Sequence, residues 1–374
     1  MTQNDPNAPS PTSHDAPLRS VHSTSVPGLL EWLGASLLVT TYQAGKLVIL
    51  RSDGGVLNTH FRGFDRPMGL ARAGDRLAIG TQLEVWDYQN VPAVARSLDP
   101  SGGLDACFLP RSGHVTGDID IHEMAFRGGE LWFVNTRFSC LCTRDDRHSF
   151  VPRWRPSFVS ALAPEDRCHL NGLGVGPGDR FWVTALGATD TPGGWREGKR
   201  DGGVVIDGPS GEVIARGLSM PHSPRWHDGR LWLLESGTGR LGFLDEDRGR
   251  FEAVAGLPGF ARGLDIVGGY AFVGLSQIRE SAHFSGLPIR EPGVERHCGV
   301  WVVELRTGGI VGFVRFEDAL QEIFAVQAMA GLRFPDVVND DRALIGDSFV
   351  LPDEAFERVP EGLRTPADRP AVCC

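Results

Sequence analysis

Long apolar runs are missing from this 374-residue chain. No stretch approaches the roughly 20 consecutive apolar residues that a membrane-spanning helix needs, so no membrane partner is expected. The opening MTQNDPNAPSPTSHDAP lacks a basic start and an apolar stretch, so it does not read as a secretory signal. The compartment expected from this is the cytoplasm. Basic charge is in deficit: 37 Lys and Arg against 47 Asp and Glu leave a net charge of −10. A nucleic-acid partner is therefore not expected, because a phosphate footprint needs a basic face. Cysteine is sparse and odd in number, at seven, which excludes a secreted disulfide framework. Cys107, Cys140, Cys142, Cys168 and Cys298 read as small buried side chains on strands, and Cys373-Cys374 as an exposed end. Also missing is the Gly-Lys-Ser/Thr ending of a phosphate loop, so no nucleotide cofactor is expected. There is no G-x-S-x-G and no H-E-x-x-H.

What the chain does have is a repeat. Five segments share a short strand, a turn with Gly or Asp, and a second, nearly all-apolar strand: GLARAGDRLAIGT (69–81), HEMAFRGGELWFVNT (122–136), NGLGVGPGDRFWVTA (171–185), HSPRWHDGRLWLLES (222–236) and RGLDIVGGYAFVGLS (262–276). Each reads as a β-hairpin. The second strands start at Leu77, Leu131, Phe181, Leu231 and Ala271, 54, 50, 50 and 40 residues apart. A sixth second strand, SLLVTTYQ (36–43), has no first strand before it. The missing partner stands at the far end as EIFAVQAM (322–329). A last unit that lends a strand to the first is the mark of a closed ring, which leaves no sheet edge exposed. The expected fold is all-β, a six-bladed β-propeller closed between N- and C-terminal strands. A β-sandwich or two smaller β domains would not explain the circular completion. Residues 1–27 are expected to be a disordered segment, 28–341 the propeller and 342–374 a loosely attached tail.

In a propeller the first strand of each blade lines the central channel, and its start lies at one mouth. Met68, His122, Asn171, His222 and Arg262 share that phase, and alternation adds Asp120 and His169 two residues earlier. His122, His169, His222 and Asn171 are the candidate metal ligands, for a divalent transition metal such as Zn, Fe, Cu or Ni. Asp120 would complete the site and Arg262 would bind an anionic substrate group. Hairpin spacing places Asn135 opposite His122 and Glu235 opposite His222, where a carboxylate would fix the imidazole tautomer. Gln277, Arg279 and Glu280 form a candidate loop over the mouth. The Gly-rich insertion 191–203, with Trp195, is a candidate lid or contact loop. Cys140 with His169 as its base is a further candidate nucleophile. The alternative use of these groups is a hydrogen-bonded polar plug of the channel.

The stretches MPHSPRWHDGRLWLLESGTG, ARGLDIVGGYAFVGLSQIRES and CGVWVVELRTGGIVGFVRFEDALQEIFAVQ, with NTRFSCL and CHLNGLG, resemble a bacterial family of conserved hypothetical proteins built on a domain of unknown function. The resemblance covers roughly residues 28–340. More distantly, HLNGLGV (169–175) is similar to the strand start of gluconolactonase- and paraoxonase-type six-bladed propellers. In them an Asn, which Asn171 matches, ligates a divalent cation. Those enzymes surround Ca²⁺ with carboxylates and Asn. His122 and His222 depart from that pattern and suit transition metals better. The expectation is a metal-dependent hydrolase or lyase acting on a small molecule or peptide at the channel mouth. The alternative is a non-catalytic propeller that recognises a protein or peptide partner.

Overall fold

The protein is described here by a computed structural model covering residues 18–278, 285–291, 296–339 and 341–364, with the backbone of 372–373. Alternating strands and Gly-containing turns build six blades, each a meander of four antiparallel strands. In chain order the blades after the first begin at Leu70–Ala73, Ile121–Arg127, Leu170–Val175, Pro221–His227 and Phe260–Val267. The first blade takes its innermost strand, Val326–Ala328, from the other end of the chain. That strand pairs with Leu37–Thr41, Leu37 opposite Ala328 and Val39 opposite Val326. The expected six-bladed propeller and its ring closure are what the chain forms.

Closure is tight. At Gly263, φ is +83°, and a Cβ there would stand 2.8 Å from the Val326 amide nitrogen, so glycine is required where the sixth blade meets the closing strand. Hydroxyls tie blade to blade. Thr40, one residue before the end of its second strand, and Thr136 and Ser236, just past theirs, donate to the next blade's inner chain, at Met68 O (2.6 Å), Leu170 O (2.6 Å) and Ala261 O (2.5 Å). Ser276 does the same across the closure, to Ile323 O at 3.2 Å. Between blades, fully buried Leu, Ile, Val and Phe side chains form the core. Among the described residues no helix is long and apolar enough to cross a membrane.

Both ends differ from expectation. Residues 18–27 are ordered. Ser20–His22 adds an outer strand to the sixth blade opposite Val314–Phe316, and the helix Ser25–Leu33 buries Val26 and Leu30. The partner lies some 290 residues away in sequence, so no local pattern announces the pairing. At the other end, Pro335–Val337 pairs in parallel with Ala106–Val115. Leu344, Ile345 and Val350 of the expected tail pack against Val94, Leu109 and Val338.

Candidate metal centre at the channel mouth

Where the chain enters an inner strand, four consecutive blades share an unusual backbone. Arg66, Asp120, His169 and Met220 all have φ between +45° and +52°. Each stands two residues before Met68, His122, Asn171 or His222. Left-handed geometry in non-glycine residues costs on the order of 1–3 kcal/mol each and is concentrated at functional sites. Residues two positions before the strand therefore reach the channel through a left-handed kink, not through the strand alternation expected from the sequence. Seven of the eight residues in these four pairs line one cavity of about 310 Å³, with Asn171 the exception. Tyr42, Trp195, Phe260, Arg262 and Phe324 complete its wall.

Among the described residues, Asp120, His122 and His169 can bring one ligand atom each to within 4.8 Å of one another. The His122 and His169 rings are 5.0 Å apart, edge to face, and His222 stacks 6.4 Å from His122. Hydrogen bonds set the tautomers. His122 Nδ1 lies 2.9 Å from Asp120 O and 2.8 Å from Thr136 Oγ1. A carbonyl only accepts, and the Thr136 hydroxyl proton is committed to Leu170 O, so Nδ1 carries the proton. His222 repeats the device with Met220 O and Ser236 Oγ, both at 2.9 Å, the Ser236 proton going to Ala261 O. His169 Nδ1 faces the Asp166 carboxylate at 3.0 Å, and Trp195 Nε1 donates to the same oxygen at 2.8 Å. With Nδ1 the hydrogen-bonded nitrogen in each ring, Nε2 is the nitrogen free to face a metal or a substrate.

Burial, then the Arg262 guanidinium, holds His122 and His222 well below the usual imidazole range. Both rings are thus neutral near pH 7. The linkage has a definite sign. A histidine buried neutral contributes stability that is present above the unfolded value of about 6.5 and is lost as pH falls below it. Chelator-treated protein is expected to lose up to about 1.4 kcal/mol per pH unit per histidine below pH 6.5. Urea denaturation of wild type and His222→Gln between pH 5 and 8 checks this. An unchanged pH slope in the variant would refute it.

Several expected roles fall elsewhere. Asn171 is buried, with Nδ2 on Pro221 O at 3.0 Å and Oδ1 accepting from Thr184 at 2.6 Å. It clamps the fourth blade to the fifth, and both its polar ends are committed. Glu235 lies opposite Pro221, not His222, and its carboxylate accepts from Ser219 N and Thr238 Oγ1. Asn135 likewise lies opposite Ile121, not His122. The cause is a register shift in each hairpin, between Phe133 and Asn135 and between His222 and Arg225. The residues that touch His122 and His222 are the hydroxyls one position on, Thr136 and Ser236. Trp195 is buried and lies 4.4 Å from His169, a wall of the cavity instead of an exposed lid residue. Arg279 and Glu280 lie outside the described residues. Cys140 is buried against Cys142, Sγ to Sγ 3.5 Å, and is not on the cavity wall, while His169 turns its Nδ1 to Asp166. Burial pushes the Cys168 thiol up to about 12; Cys140 and Cys168 are both fully buried in the core and neither lines the cavity. Tyr42, Asp166 and Thr136 carried no signal in the sequence, whereas Phe324 did, standing two residues before Val326 as Met68 stands two before Leu70.

The family comparison agrees with this frame. A family described as a domain of unknown function, DUF4915, matches residues 24–338. The chain belongs to that family. Among curated proteins, none matches the sequence. Among solved structures, a protein of unknown function from Bacteroides caccae superposes with a TM-score of 0.51, at 10% identity over 79% of this chain and 98% of that one. A chain of the nidogen/laminin complex gives 0.50, also at 10% identity, over 80% and 99%. A catalytically inactive virginiamycin B lyase from Staphylococcus aureus gives 0.42 at 10% identity, over 80% and 99%. At this identity the first two similarities concern the fold alone. The DUF4915 match includes all of the residues that build the cavity.

Proposed function

We propose that this DUF4915 protein holds a divalent transition metal at Asp120, His122 and His169 and uses it in hydrolysis or elimination on a small molecule. One observation carries the reading: two imidazoles and a carboxylate converge, with the imidazole Nδ1 atoms already occupied as donors. His122, held neutral by burial, needs no deprotonation to bind a metal at neutral pH. A two-His, one-carboxylate set suits Zn²⁺ or Fe²⁺ and leaves coordination positions for water and substrate. The metal would polarise a carbonyl or lower the pKa of a bound water. His222, whose ring stacks 6.4 Å from that of His122, would act as the base. Asp166 and Thr136 would orient His169 and His122, as outer partners of metal ligands do.

The test is elemental analysis of untagged protein beside His122→Ala/His169→Ala and Asp120→Asn. About one equivalent of Zn or Fe per chain is expected in the wild type. The double variant should hold less than a tenth of it and still show the wild-type circular dichroism spectrum. Absence of metal from the wild type, even after reconstitution, would overturn the proposal.

A further inference from the structure

Arg262 is singular among the interior arginines. Arg225 is bonded to Glu123 and Pro224 O, Arg51 to Asn58 and Pro335 O, and Arg62 to Asp336. The Arg262 guanidinium has no hydrogen-bond acceptor among the described residues. It lies instead over the Phe324 ring, 3.6 Å from the centroid, with Tyr42 at 5.9 Å. Five N–H donors drawn partly out of water without acceptors are costly unless something supplies them. Stacking on Phe324 fixes the plane of the fork and leaves its edge for a planar or tetrahedral oxyanion.

The charge around it points the same way. The cavity is lined by Arg262, Arg66, three imidazoles and a single carboxylate, Asp120; Glu123, whose charge also acts on Arg262, is not on the lining and is bonded to Arg225. Arg66, in the left-handed conformation, likewise has no ion-pair partner among the described residues. The lining is therefore net positive in a chain whose overall charge is −10. A bound divalent cation would raise the local charge further. Aromatic side chains Tyr42, Trp195, Phe260 and Phe324 make the rest of the wall apolar. At about 310 Å³ the cavity is at the small end of ligand sites.

We infer that the cavity recognises a small molecule carrying an oxyanion, a carboxylate or a phosphate monoester, gripped by the Arg262 fork on its Phe324 platform. This deepens the proposed function by naming the substrate class. The anion grip itself needs no metal, so the two readings can fail separately.

The experiment is calorimetric titration of the full chain, chelator-stripped and Zn²⁺-loaded, with benzoate, phenyl phosphate and neutral benzamide. Expected is saturable binding of benzoate or phenyl phosphate in both forms and at least about tenfold weaker binding of benzamide. Arg262→Gln should lose tenfold or more in anion affinity, with Arg262→Lys recovering only part, because an ammonium lacks the fork. Phe324→Leu, which keeps the arginine and removes its platform, should weaken the same binding and guards against a folding defect in Arg262→Gln. Tighter benzoate assigns a carboxylate and tighter phenyl phosphate a phosphate. Anion binding that needs Zn²⁺ and ignores Arg262→Gln would overturn the inference and leave the metal reading standing. Arg262-dependent binding in a protein that takes up no metal would do the reverse. No binding of any of the three would also overturn it.

Discussion

A chain ending at Gln321 is expected to lose its cooperative unfolding transition. The deletion removes Ile323, Phe324, Ala325, Val326, Ala328 and Met329, all buried. At roughly 1.5–3 kcal/mol for each large apolar side chain, their burial is comparable to the net stability of a domain, about 5–15 kcal/mol. It also uncovers the edge of Leu37–Thr41, whose five residues are all buried in the closed ring. An apolar strand edge of that kind pairs with other chains, so the truncated protein should aggregate. A chain ending at Asn339 is the control. It keeps the closing strand and Pro335–Val337, and the described residues it loses are short helices and strands in which Leu344, Ile345 and Val350 are partly buried and Phe349 and Leu363 exposed. Its midpoint in urea should fall by a modest amount with cooperativity intact. A Gln321-terminated chain that stayed monomeric and unfolded cooperatively would show that ring closure is dispensable.

Arg225→Met is expected to cost about 3–5 kcal/mol at pH 7.5, the usual penalty for stranding one member of a buried ion pair. Arg225 Nη2 donates to Glu123 Oε1 at 2.7 Å between the inner strands of two blades, and Glu123 is 6% exposed. Burial pushes the Glu123 carboxyl up, and the Arg225 charge opposes that push. Without Arg225 the carboxyl is raised further. The folded state then binds a proton more readily than the unfolded chain, so the Glu123 penalty in the variant shrinks as pH falls toward the ordinary carboxylate range near 4.3. Variant and wild type share the loss below pH 6.5 through His122 and His222, so that loss cancels in the difference between them. Urea denaturation at pH 7.5 and 5.5 should therefore show the gap between variant and wild type narrowing on acidification. Glu123→Gln/Arg225→Met should regain much of the loss, since it leaves no unpaired charge. A gap that is constant with pH would refute this account of the pair.

These results bear on how far a sequence can be read. Hairpin strands alternate with period two and end in glycine turns, and both signals are local. The blades were therefore legible, and the circular completion by residues 322–329 announced the ring. Repeat phase also singled out the channel mouth, because His122, His222 and Arg262 stand at equivalent points of their blades. The reading ran out at contacts set by one residue of register. The shifts beside Phe133 and His222 exchanged Asn135 and Glu235 for Thr136 and Ser236 as imidazole partners.

By itself, then, the sequence determined the six blades, their closure and the set of side chains sent toward one channel mouth, since those follow from local periodicity repeated along the chain. Only the tertiary structure decided which of them meet. It joined Asp120 and His169 to His122 through left-handed kinks, spent Asn171 on a clamp between blades, and left the Arg262 fork without an acceptor among the described residues. It also docked residues 18–33 against a strand some 290 positions away. Such outcomes depend on bulges, on packing angles and on partners far apart in sequence, and no local pattern encodes them.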